Sequence, residues 1–179
     1  MGSWTLWHFA AFIAIALAAA WRAHDRHNQP APEGFGGWLA VLCIFLVFWG
    51  SQELAELYRV RHEIAVLVPS AADSPEYRQY ALAVLGLTWF QAIALIGSAL
   101  LMGAGPRQRW VPRLTIAALW LAGPLASAGE FLAAQHYVGD YLLEEDYSAI
   151  AATTLFATTW TWYLLASRRV ARTFTSPTP

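Results

Sequence analysis

Five long, nearly charge-free runs are divided by short segments rich in Pro, Arg and carboxylates. The runs cover residues 4–21, 34–52, 79–106, 114–134 and 147–167, and a carboxylate, Glu130, interrupts only the fourth. Crossing about 30 Å of hydrocarbon takes roughly 20 mostly apolar residues in a helix, because each backbone amide must be satisfied within the segment. The pattern therefore predicts an all-α fold: a polytopic transmembrane helical bundle of five membrane helices, forming one integral membrane domain over residues 1–179. The third run is the longest, so its helix can tilt or begin at the interface. Between the second and third runs, Tyr58-Arg59-Val60-Arg61-His62-Glu63 and Ile64 to Val68 predict a helical extension or a short interfacial piece. Gly123-Pro124 predicts a bend in the fourth helix, since Pro removes an amide donor and crowds the preceding turn.

Composition narrows the class further. Hydrophobic residues make up 58% of the chain and charged residues 13%, against about 25% charged in soluble domains. Abundant apolar surface and a net charge of only -1 exclude disorder. Eleven Arg are offset by twelve carboxylates, so no nucleic-acid partner is expected. Cys43 stands alone, which excludes an internal disulfide. Ala18-Ala19-Ala20 resembles a signal-peptide cleavage site. The positively charged segment that should precede one is missing, and the first run is read as a membrane helix.

Arg distribution gives the orientation, because Arg in short loops is retained on the cytoplasmic side. With the N-terminus outside, Arg22, Arg26, Arg107, Arg109, Arg113, Arg168, Arg169 and Arg172 all lie inside, and only Arg59, Arg61 and Arg78 lie outside. The expected topology is N-out, C-in.

Two motifs carry a family resemblance: Gly36-Gly37-Trp38-Leu39, and Trp160-Thr161-Trp162-Tyr163-Leu164 leading into Ser167-Arg168-Arg169-Val170-Ala171-Arg172-Thr173-Phe174. Together they resemble the bacterial inner-membrane family known as domain of unknown function 2569, over about residues 34–174. The resemblance implies a multi-pass protein of the bacterial inner (cytoplasmic) membrane with four spans. This sequence adds an N-terminal span, and has Gln91 where relatives are expected to carry an acidic residue. The family name implies no reaction, cofactor or substrate.

Candidate chemistry is sparse. His8, His62 and His136 can in principle converge with Glu53, Glu56 or Glu130 on Zn or Cu. No ligand pair has a diagnostic motif, so neither metal nor cofactor is expected. His24 and His27 read as solvated interface residues. Glu53, Glu56 and Arg59 share a helical face and read as an intrahelically paired, solvated set. Asp140, Glu144, Glu145 and Asp146 read as a hydrated loop. Thr88, Gln91 and Ser98 fall on one face of the third run, and Thr154, Thr158 and Thr161 on one face of the fifth. Such groups either glue helices together or line a solute path, and the first is favoured.

Glu130 is the leading candidate. It follows Ala118, Ala122 and Ala126 at four-residue steps and should face protein or an outer cavity, with His136 or Gln91 as polar partner. Arg168, Arg169 and Arg172 form a cytoplasmic anchor that can contact anionic lipid or a partner. With no nucleophile elbow, HExxH helix or catalytic carboxylate pair, the sequence favours a non-enzymatic membrane bundle acting through lipid, a protein partner or a second copy of itself. A small-solute or ion transporter is the alternative, and an intramembrane or metal-dependent enzyme ranks last.

Overall fold

A computed structural model of the chain describes residues 35–138 and 147–174. Within them every regular element is helical: α1 (Trp38–Leu67), α2 (Pro69–Ala72), α3 (Pro75–Ala104), α4 (Trp110–Trp120), a π-helical turn (Leu121–Leu125), α5 (Ala126–Val138), α6 (Ser148–Ala166) and α7 (Arg168–Thr173). Three helical stretches are long and apolar enough to cross a membrane: Trp38–Leu67, Pro75–Ala104 and Trp110–Tyr137. The expected first span and the acidic residues 140–146 lie outside the described residues, as do His8, His24 and His27.

Local chemistry explains where the helices start and stop. Gly37 precedes α1 at φ 55°, a left-handed conformation that glycine adopts at little cost. α1 runs 15 residues past the charge-free run, which ends at Gln52. There Arg59 bridges Glu56 and Glu63, the latter at 2.6 Å, and such i,i+3 and i,i+4 pairs support an exposed helix. The predicted helical extension is therefore continuous with α1. At α3, Ser74 is the N-cap: its Oγ accepts from the Tyr77 N–H at 3.1 Å, with Pro75 at the first helical position. Gly105 and Pro106 end that helix.

The disturbance expected at Gly123-Pro124 is present, and it takes the form of a π turn between α4 and α5. Residues 148–166 of the fifth run form one helix, α6, rich in Thr and aromatic residues. Its hydroxyls bond back along the helix: Thr153 to the Ala149 carbonyl at 2.9 Å, Thr154 to Ile150 at 2.7 Å and Thr158 to Thr154 at 2.8 Å.

Packing follows chain order, with α1 against α3, α3 against α4 and α5, and α6 against α4 and the π turn. The α1–α3 contact is close at Gly50, where a Cβ would stand 3.3 Å from the Ala92 backbone. Small residues permit such approach between apolar helices. The core joins Leu39, Leu42 and Leu46 of α1, Leu95 and Met102 of α3, Leu119 of α4, Ala157 and Trp160 of α6, and Val170 and Phe174 at the C-terminal end. Large apolar side chains also cover the outside. Ile44, Ile93 and Leu165 are 65–71% exposed, as lipid-facing positions require.

The two ends differ in charge. Gly37, Gly103, Val111 and α7 gather at one end, where the Phe35 ring lies against Gly103. Arg107, Arg109, Arg113, Arg168, Arg169 and Arg172 belong to this arginine end. All carboxylates among the described residues lie from the middle of α1 toward the opposite end: Glu53, Glu56, Glu63, Asp73, Glu76 and Glu130.

Candidate functional site

Two polar assemblies are built from separate helices. The first lies between α1, α3 and the π turn. Because Pro124 disrupts the regular ladder, the Ala126 N–H donates to the carbonyls of Leu121 and Gly123, bypassing Ala122. The Ala122 carbonyl instead accepts from Gln91 Nε2 at 3.0 Å. Gln91 is 3% exposed, and its Oε1 is buried without a hydrogen-bond partner. Thr88 and Ser98 are buried with it along α3, and Thr88 donates to the Val84 carbonyl at 2.9 Å.

Trp49 closes the same layer from α1. A Cβ on Gly123 would stand 3.3 Å from its ring, and Phe156 of α6 meets that ring edge-on at 5.1 Å. The indole Nε1 donates to Glu53 at 2.8 Å. Glu53 is thus held by an aromatic donor four residues before it. The Arg59 guanidinium goes instead to Glu56 and Glu63. Only part of the expected Glu53, Glu56 and Arg59 face is a paired set, since Glu53 turns inward.

Glu130 of α5 is half-buried, within electrostatic reach of Glu53 of α1 and Tyr80 of α3. The preceding turn packs on α3, where a Cβ at Gly129 would stand 3.5 Å from Leu87. Glu130 therefore sits among α1, α3 and α5. His136 is exposed, with its ring against Tyr137 at 4.7 Å. Gln91 donates to the Ala122 carbonyl. Among the described residues, no group of three His, Cys, Asp or Glu side chains could hold a metal ion.

The sequence pattern alone does not single out Trp49 or Tyr80. The four-residue spacing of Trp49 and Glu53 was a usable signal for their bond. Tyr80 offered none, because its proximity to Glu130 exists only in three dimensions. On α6, the buried hydroxyl is that of Thr153, whereas Thr158 is exposed. Thr161 Oγ1 accepts from Trp120 Nε1 at 3.1 Å, a bond that ties α6 to α4.

The second assembly is the arginine end. Ser167 leaves the helical conformation and separates α6 from α7, its Oγ accepting from the Val170 N–H at 3.4 Å. The chain then turns so that Val170, Thr173 and Phe174 are buried, while Arg168 and Arg172 are exposed. Arg169 points back to the start of α1. Its Nη1 lies too close to Gly37 to admit a Cβ there, and its Cζ would be 3.5 Å from that Cβ. Arg169 Nε is sealed from solvent without a hydrogen-bond partner. The Gly-Gly-Trp-Leu and Ser-Arg-Arg-Val motifs, remote in sequence, therefore meet at one junction.

Neither a curated protein nor a solved structure matches the chain. The family model described as protein of unknown function (DUF2569) matches residues 32–175, and the chain belongs to that family.

Proposed function

We propose that this protein is a multi-pass component of the bacterial inner membrane that acts through contacts with lipid or a membrane-protein partner rather than by covalent chemistry. In this reading the chain has five membrane helices and runs N-out, C-in. The observation that carries the reading is the segregation of charge. Among the described residues, one end has six Arg and no carboxylate, and the sides between the ends are apolar. Such a body is oriented by retention of its Arg on the cytoplasmic side, where they meet anionic headgroups.

Cysteine accessibility tests the orientation. After Cys43 is replaced, single Cys residues at Arg109 and Asp140 are labelled with an impermeant maleimide in intact cells. Labelling at Asp140 alone supports N-out, C-in, whereas labelling at Arg109 alone overturns it. Copurification, with identification of the bound lipid and protein, tests the contact role.

One observation favours a second reading, ion or small-solute transport. Glu53 and Glu130 come from different helices, and both are half-buried. Ionisable groups in such positions are often functional in membrane proteins. Cation flux into liposomes that is lost in Glu130→Gln would establish this reading over the first.

A further inference from the structure

At the arginine end a cation stands where an anion belongs. α1 is 30 residues long, and it opens without a side-chain cap and without an acidic residue in its first turn. Its first N–H groups have no partner within the helix, and the aligned peptide dipoles give that end a positive potential. The side chain packed onto it is nevertheless the guanidinium of Arg169. Arg169 Nε is buried with a donor unused. Arg107, Arg109, Arg113 and Arg168 add exposed positive charge at the same end, and no described carboxylate offsets them.

Guanidinium forks and helix N-termini both bind oxyanions, and a phosphate group has enough acceptor oxygens to take donors from both at once. Depth suggests its source. Trp38 and Trp110 lie at this end, at the level of the aromatic belt where headgroups reside. Resting on the reading that this end meets the membrane–water interface, we infer that the Gly37–Arg169 junction is a site for the phosphate of an anionic phospholipid. Arg169 grips the phosphate with its fork, the opening N–H groups of α1 complete its shell, and the exposed Arg side chains attract the headgroup from the interface.

The test uses the full-length protein in a neutral detergent, titrated separately with phosphatidylglycerol, phosphatidylcholine and inorganic phosphate. Bound lipid is counted by native mass spectrometry, and the unfolding temperature is followed in parallel. Phosphatidylglycerol should bind at least about tenfold more tightly than phosphatidylcholine and raise the unfolding temperature. Arg169→Lys keeps the charge and the aliphatic stem but loses the fork, and should weaken binding about tenfold. Arg169→Gln should abolish the preference. Without lipid, Arg169→Gln should unfold no earlier than the wild type, because it removes a cation from the positive end of a helix. A merely structural peg would instead unfold earlier.

Glu33 is the nearest carboxylate in sequence to Gly37, and Glu33→Gln should leave the lipid preference intact. The inference is overturned if Arg169→Gln retains the preference, or if Glu33→Gln and Arg169→Gln destabilise the lipid-free protein equally, as partners in an internal ion pair would. Protection by millimolar phosphate without any lipid preference would overturn the lipid source. Because binding is read in detergent, its failure is separate from any failure of the membrane orientation, which cysteine accessibility decides.

Discussion

Gln91 Nε2 donates to the Ala122 carbonyl at 3.0 Å, joining α3 to the π turn that Pro124 imposes on the neighbouring helix. The two features are complementary, since the turn redirects the Ala126 N–H away from Ala122 and the amide takes the carbonyl so presented. A proline that would otherwise weaken a helix becomes a point of attachment between two helices.

Replacing Gln91 with Leu should therefore destabilise the bundle by about 1 kcal/mol, the scale of interhelical hydrogen bonds in membranes. Pro124→Ala should restore the regular ladder and remove the need for the amide. The double variant should then lose less than the sum of the two single variants. Unfolding measured for all four proteins in detergent gives the coupling, and strict additivity would show that Gln91 and the π turn are independent.

Trp49→Phe keeps most of the packing against Gly123 and Phe156 but removes the donor to Glu53. Hydrogen bonds to charged groups contribute about 1.5–3 kcal/mol, so the fold should lose stability on that scale. In a Glu53→Gln background the same change should cost less, because a neutral amide accepts more weakly. An equal loss in both backgrounds would assign the effect to packing alone.

Glu130→Gln removes a half-buried charge while keeping the side-chain shape, and should raise the unfolding temperature. Glu130→Leu tests the surroundings: among α1, α3 and α5 an apolar residue should be tolerated as well as in lipid, so both variants should fold. If Glu130→Gln instead lowers the unfolding temperature, the carboxylate has a stabilising partner, such as a bound cation. Repeating the melt with and without added salt cations would then separate the two cases.

What the sequence made legible was local. Apolar runs located α3 and the first half of α1, and Gly123-Pro124 marked the π turn, because each depends on neighbours within a few residues. The Ser-Arg-Arg-Val segment announced positive charge. Its fold was hidden, because an extended Ser167 and the burial of Val170 and Phe174 depend on α1 and α4 arriving at the same end. Glu53 was misassigned to the solvated face for a related reason. Its spacing from Glu56 and Arg59 suits an ion-paired set, but Glu63 offers Arg59 a second carboxylate, while Trp49, packed inward on Gly123, draws Glu53 away.

Gly37→Ala should destabilise the arginine end in two separable ways. The left-handed φ of 55° costs a residue with a Cβ about 1 kcal/mol. That Cβ would also clash with Arg169 Nη1 and force the guanidinium aside. Adding Arg169→Ala should relieve the clash but leave the backbone cost, so the double variant should be more stable than the sum of the single changes predicts.

Phe174→Ala tests whether α7 is part of the bundle or only a basic tail. The ring is 2% exposed and belongs to the same core as Leu39, Met102 and Val111, so truncation should leave a cavity and cost about 3–5 kcal/mol. Release of α7 would also carry Arg169 away from Gly37, since Val170 and Phe174 anchor the turn that presents it. A Cys at Ala171 would report global unfolding as readily as release of α7. The more specific reporter is protease cleavage after Arg169 under conditions where α1 and α3 remain folded. Cleavage should be slow in the wild type and fast in Phe174→Ala. Equal rates in the two proteins would mean that α7 is a surface tail, and that the contact between the two sequence motifs does not depend on its packing.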